Sequence, residues 1–249
     1  MVEKFIAERS ASDFHNSLED FCNIKSSVER NNYNIIRAGD ILLAHRCENI
    51  IGICVLHKHF HLLPDEILVR SRHDKCFLSI PRKFDAADRY RPVSWAFDLD
   101  SSQIFGIEYA RFDGNDEDYP STVVVESIME CLKQSDLAAF FGLVYMPWYE
   151  MSAEAFEYSD PALRASLVIS RDQLRYPVRT EEFAQSVFAF EKRDGILAVT
   201  EKSKCPVYCL NCQPSTLLSP EICASEQSLD SIYDHMIRIA NNFDPDAAP

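Results

Sequence analysis

The sequence predicts an α+β fold: a largely antiparallel sheet or open barrel over residues 33–112, flanking helices, and a C-terminal hairpin plus helix. Three observations carry this. Short runs of β-branched and aromatic residues, broken by turn chemistry, fill 33–112. Apolar residues recur at helical spacing over 12–29, 121–134 and 226–241. Glycine is scarce, six in 249 residues, so Asp, Asn, Pro and Ser must make most of the turns.

Phe14, Leu18, Phe21 and Val28 form the stripe of the first helix, with Ser12 as its N-cap. Strands follow at Tyr33–Arg37 and Ile41–His45, around a turn at Ala38-Gly39-Asp40. Further strands fall at Ile50–Leu62, Glu66–Ser71, Cys76–Pro81, Val93–Leu99 and Ile104–Phe112. Pro120-Ser121 opens a helix striped by Val125, Ile128, Met129 and Leu132. A short helix over Leu137–Gly142 comes next, then an aromatic loop at Tyr145–Tyr149 and a strand at Ala162–Ser170. Ser186–Lys192 and Gly195–Thr200 pair as a hairpin turned at Arg193-Asp194-Gly195. Leu229, Ile232, Met236 and Ile239 stripe the last helix. No internal repeat is visible, and 1–249 reads as a single domain with its weakest seam at 113–121.

Composition sets the limits on function. With 47% hydrophobic and 26% charged residues, the chain has the makeup of a globular protein. A net charge of −14 repels phosphate backbones and argues against general nucleic-acid binding. The basic stretch Arg70–Arg91 is the one local exception, a patch that could face an anionic carrier or the end of an RNA. No run approaches a membrane span and the first residues lack a signal-peptide core, so the expected setting is the cytoplasm, off the membrane. There the nine cysteines stay mostly as thiols. The glycine-rich phosphate loop, the dinucleotide fingerprint and the nucleophile elbow are all absent, so no nucleotide cofactor is expected.

The densest chemistry is Gly52-Ile53-Cys54-Val55-Leu56-His57-Lys58-His59-Phe60-His61-Leu62. On a strand, His57, His59 and His61 share one face. Imidazole is the commonest metal ligand, and His57 and His59 with one of His45, His61 or Glu66 would suit zinc or non-haem iron. The bland alternative is a polar face of hydrogen-bonded histidines. A second cluster, Cys205, Cys209, Cys212 and Cys223, offers four soft donors for a structural zinc, although only Cys209 and Cys212 have C-x-x-C spacing. A third reading makes Cys47 or Cys54 a nucleophile beside the histidines, although strict alternation points Cys54 away from His57.

Three functions are consistent with this. The first is a small-molecule enzyme with catalytic His57 and His59, with or without a metal. The second is an acyl- or aminoacyl-transfer enzyme with Cys47 or Cys54 as nucleophile. The third is a non-catalytic binding or regulatory protein held by zinc at 205–223. The expected partner is a small-molecule substrate.

Overall fold

The computed structural model describes residues 10–21, 23–24, 32–73, 76–85, 89–112, 118–149, 154–174, 183–193, 196–206 and 233–238. Three helices are named here: α1 (Ala11–Ser17), α2 (Asn32–Ala44) and α3 (Thr122–Gln134). The strands are β1 (Ile51–Val55), β2 (Glu66–His73), β3 (Cys76–Lys83), β4 (Tyr90–Pro92), β5 (Ser94–Asp98) and β6 (Gln103–Gly106). They continue with β7 (Glu108–Arg111), β8 (Phe141–Tyr145), β9 (Ala155–Asp160), β10 (Ala165–Ser170), β11 (Phe183–Arg193) and β12 (Ile196–Pro206).

All twelve strands join one sheet in the order β4-β7-β2-β3-β10-β9-β12-β11-β1-β8-β5-β6. Among the described strands, only β2 with β7 and β9 with β12 pair in parallel. The two ends of the order are two parts of one long hairpin, since β4 runs into β5 and β6 into β7. Hydrogen bonds from Val93 N to Glu108 O (2.8 Å) and from Ile107 N to Ser94 O (3.0 Å) carry that hairpin across its break. The sheet thus curls almost into a barrel with one seam, and the α+β, largely antiparallel expectation is met.

The second half of the chain repeats the first. α2 and α3 are both thirteen residues long. Each helix ends in a left-handed residue, Arg46 at φ 55° and Asp136 at φ 58°. Cys47 N bonds Leu42 O and Ile51 N bonds Cys47 O; Leu137 N bonds Leu132 O and Phe141 N bonds Leu137 O in the same way. β1 and β8 then pair antiparallel about Ile53 and Leu143. On their outer flanks Ile53 faces Phe188 of β11, and Leu143 faces Trp95 of β5. The parallel pair Leu68–Glu108 is matched by Ala155–Ser203, and Leu78 of β3 faces Leu167 of β10. An approximate dyad therefore relates residues 32–111 to 122–206.

Gly52 and Gly142 are equivalent under that dyad, and each is forced by the neighbouring strand. A Cβ at Gly52 would lie 2.7 Å from Phe188 O, and one at Gly142 would lie 2.4 Å from Trp95 O. Sequence reading misses the repeat because hydrophobic patterning can be kept while identity drifts.

Several local expectations are corrected. Residues 33–45 are not two strands but α2 and its C-terminal turn: Ile35, Ala38 and Leu42 are buried at helical spacing. The sheet accordingly begins at Ile51 and runs on to Pro206. The first helix is capped by Ser10, whose Oγ accepts from Asp13 N, rather than by Ser12. Residues 137–142 are no helix: the segment turns at Leu137–Phe140 and enters β8. The helix at 122–134 stands as expected, with Ser121 as its N-cap. Of the last helix, 233–238 is described and is helical. Met236 packs there on the outward residues Leu78, Phe156, Tyr158 and Leu167.

Candidate metal centre

β1 ends at Val55, and the chain leaves the sheet through an irregular segment over 56–65. Alternation therefore stops before the histidines. His57 and His59 turn inward, while His61 is exposed. His57 Nδ1 donates to Val55 O at 2.9 Å, which leaves its Nε2 lone pair aimed at the interior. His57 Nε2 sits 3.1 Å from His59 Nε2.

β9 supplies a carboxylate to the same point. Its alternation sends Phe156 and Tyr158 outward, and Glu157 inward. Glu157 Oε1 lies 3.2 Å from His59 Nε2, and the Ser166 hydroxyl of β10 donates to the same oxygen. β12 supplies a thiol: Cys205 Sγ is 3.0 Å from Glu157 Oε2, 3.4 Å from His57 Nε2 and 3.9 Å from His59 Nε2. The donor atoms of His57, His59, Glu157 and Cys205 all fall within 4.8 Å of one another, so this group could hold a metal ion. Bond lengths of ~2.0–2.3 Å to zinc imply donor-to-donor edges of about 3.3–3.6 Å in a tetrahedron. The five separations above, 3.0–3.9 Å, bracket those edges.

The electrostatics of the group are set by burial and by its own neighbours. Burial holds the His57 imidazole down at about 4, and the neighbouring His59 pushes the same way. Burial raises the Cys205 thiol to about 12, and Glu157 adds to that. Burial opposes the charge of Glu157, yet His59 beside it keeps the carboxyl well below its usual range. A single proton on His59 Nε2 cannot serve both His57 Nε2 and Glu157 Oε1; a cation at the centre would satisfy all four donors together.

The dyad sharpens this. Counted from Ile53 and Leu143, His59 corresponds to Tyr149; counted from Ala155 and Leu68, Glu157 corresponds to Arg70. Around Arg70 the equivalent cluster is complete. Arg70 Nη1 pairs with Glu108 Oε2 at 3.0 Å, Arg70 Nε donates to Trp148 O at 3.0 Å, and Ser79 Oγ donates to Glu108 Oε1 at 2.6 Å. The Tyr149 hydroxyl also donates to Glu108, and Arg70 stacks 4.1 Å over the Tyr149 ring. That buried carboxylate has a guanidinium partner. Glu157 makes no ion pair with a lysine or arginine among the described residues.

A cavity joins the two clusters. His15, Cys54, Leu68, Glu108, Val168 and Val187 are among its walls. About 70 Å³ of it is open to the centres of water-sized molecules, several times the ~10–15 Å³ that one water needs. It has room for a ligand of several heavy atoms.

The other sequence candidates lie elsewhere. His45 ends α2 and bonds Ile41 O (2.9 Å) and Ser127 Oγ (3.0 Å). Glu66 is bound by Arg164 and accepts from Leu63 N at 2.7 Å. Cys47 bonds His45 O at 3.2 Å, and burial raises its thiol. Cys54 lines the cavity, but burial raises its thiol to about 12, with Glu108 adding to the effect. Their dyad equivalents are Leu137 and Val144, so apolar packing accounts for both cysteines. Arg70, read as part of a basic patch, is buried against Glu108. Cys209, Cys212 and Cys223 fall outside the described residues. Cys205, which is described, meets His57 and His59.

Glu157 and Glu108, which face the candidate site, were not singled out by the sequence reading. A signal existed for Glu157: a carboxylate alternating between Phe156 and Tyr158 faces the side opposite two buried aromatics. No helix of the described residues is long and apolar enough to cross a membrane. No family model, curated protein or solved structure matches the chain.

Proposed function

We propose that the chain is a zinc-dependent enzyme acting on a small molecule inside the barrel, with His57, His59, Glu157 and Cys205 as the ligands. The convergence of these four donors beside an enterable cavity supports this most directly. Zinc is preferred to iron because a thiolate joins the two imidazoles and the carboxylate in a near-tetrahedral set, whereas the iron facial triad carries no thiolate. Bound zinc would polarise a carbonyl or hydroxyl of the substrate, and it accepts a fifth ligand when chemistry requires one. Arg70, Glu108 and Tyr149 form the opposite wall and hold their places through mutual hydrogen bonds. A reducing compartment such as the cytoplasm would keep Cys205 available as a ligand.

A second reading has support in the same geometry. Four protein donors close a tetrahedron, as in structural zinc sites, and would lock 56–59, β9 and β12 together. Cobalt substitution separates the two. Cobalt in the site should give intense visible bands and a thiolate charge-transfer band. If small alcohols or amides shift the visible bands, the metal is open to ligand and the enzyme reading stands. A spectrum that no added molecule alters supports the structural role, and absence of the thiolate band rejects the ligand set.

A further inference from the structure

Residues 10–21 run alongside the histidine segment and hold it by its backbone. Asn16 of α1 meets Leu62 as a neighbouring strand would: its Nδ2 donates to Leu62 O at 2.9 Å, and its Oδ1 accepts from Leu62 N at 2.8 Å. His15 Nε2 donates to Phe60 O at 3.1 Å. Lys58 N donates to Glu19 O at 3.0 Å, and Lys58 Nζ donates to Leu18 O. These bonds fall on Lys58, Phe60 and Leu62, and His57 and His59, which alternate with them, meet Glu157 and Cys205. The Phe21 ring lies 4.7 Å from the His57 ring. The clasp has its own anchor. Phe14, Leu18 and Phe21 are buried in the main core, and Phe14 stacks on Phe105 of β6 at 4.9 Å.

The other half of the barrel ties its equivalent loop differently. There Arg70 Nε donates to Trp148 O at 3.0 Å, and Arg72 Nη2 donates to Pro147 O. Under the dyad, the counterparts of Arg70 and Arg72 are Glu157 and Ser159. A carboxylate has no hydrogen to donate, and Ser159 Oγ has no partner. Residues 10–21 supply the ties that β9 does not, which leaves position 157 to a carboxylate facing His59. Arg164 adds one bond to the same stretch, from its Nε to His61 O at 3.1 Å.

We infer that His15 and Asn16 are positioning residues of the metal centre: by fixing the backbone at Phe60 and Leu62 they set the geometry in which His57 and His59 reach zinc. Zinc affinity is thus controlled from residues 10–21. The inference rests on the reading of His57, His59, Glu157 and Cys205 as zinc ligands. Outer partners that orient metal ligands typically contribute about 10–100-fold in affinity.

Zinc affinity of the full chain, measured by competition with a chelator, tests this together with the visible spectrum of the cobalt-substituted protein. Asn16→Ala and His15→Leu should each weaken zinc about tenfold or more and shift the cobalt bands. His15→Gln keeps an amide donor for Phe60 O and should recover most of the affinity. Ile80→Val trims a buried side chain in the outward cluster around Met236. It should lower stability to urea and leave zinc affinity and cobalt bands as in the wild type. Unchanged affinity and bands in either Asn16→Ala or His15→Leu would overturn the inference and leave the zinc reading standing. An equal loss of affinity in Ile80→Val would overturn it too, because overall stability would then set the affinity. A wild-type chain that binds neither zinc nor cobalt would overturn both the inference and the zinc reading.

Discussion

Glu157 stands in the second half of the barrel where Arg70 stands in the first. Both project inward from the third position of a matched parallel pairing, two residues beyond Ala155 and Leu68. One position carries a buried cation held by Glu108; the other carries a buried anion held by imidazoles and a thiol. The two halves thus share a backbone arrangement and differ in interior chemistry. Around Glu157, where no guanidinium stands, side chains of both halves converge: His57 and His59 from the first, Glu157 and Cys205 from the second.

The dyad is directly testable at its glycines. Gly52→Ala and Gly142→Ala each drive a Cβ against a neighbouring carbonyl oxygen, at 2.7 and 2.4 Å. Each is expected to destabilise by about 1–3 kcal/mol through overpacking, with the two losses similar in size. Urea denaturation measures this. A neutral effect at either site would mean that the strands relax apart and the equivalence has no energetic content.

The Arg70 cluster should behave as a coupled unit. Arg70→Met strands the Glu108 carboxylate in the interior, and a loss of about 3–5 kcal/mol is expected. Adding Glu108→Gln should restore much of it, because the second change removes the buried charge. A double variant as unstable as the sum of its singles would contradict the pairing.

His15 sets a pH limit on stability. Burial lowers its imidazole from 6.5 to about 4 in the folded chain. At pH values above 6.5 both states are neutral at this site and nothing is lost. As pH falls from 6.5 toward 4 the unfolded chain takes up the proton first, and folding loses up to about 3 kcal/mol. Below about 4 the loss levels off. His15→Phe should flatten this part of the curve, so the difference between wild type and variant should grow as pH falls through that window. Parallel pH profiles for the two proteins would refute the assignment.

Cys47 and Cys54 should be dispensable. Cys47→Leu and Cys54→Val copy the residues found at the equivalent positions, Leu137 and Val144. Both changes enlarge a buried side chain, so a loss of up to about 1–3 kcal/mol from overpacking is expected, with metal content intact. Loss of turnover in either variant, once a substrate is in hand, would revive the cysteine-nucleophile chemistry.

How far the sequence could be read varied with the physical signal. The stripe Val125, Ile128, Met129 and Leu132 lies on a capped helix and was legible. The stretch 33–45 was not, because Ile35, Ile36, Ile41 and Leu42 suit a strand as well as a helix and Gly39 mimics a turn. Gly39 instead allows close approach: a Cβ there would lie 2.3 Å from the Phe190 ring. His57 and His59 stood out by composition, though not for the right reason, since they leave the strand before they meet. Cys205 stood out within a run of cysteines, but its approach to His57 and His59 was not legible. Its neighbours in sequence are cysteines, whereas β12 carries it beside β9, and that pairing is non-local. No local pattern reports such a crossing.

Zinc content measured across ligand variants tests the central claim most directly. The protein as purified should hold about one zinc per chain, the stoichiometry of a single tetrahedral site. His57→Ala, Glu157→Gln and Cys205→Ser should each lose that zinc and lower the melting temperature, while Cys209→Ser and Cys212→Ser should keep it. A chain that binds no zinc, or one that loses it with Cys209 and Cys212 but not with His57 and Glu157, would contradict the assignment.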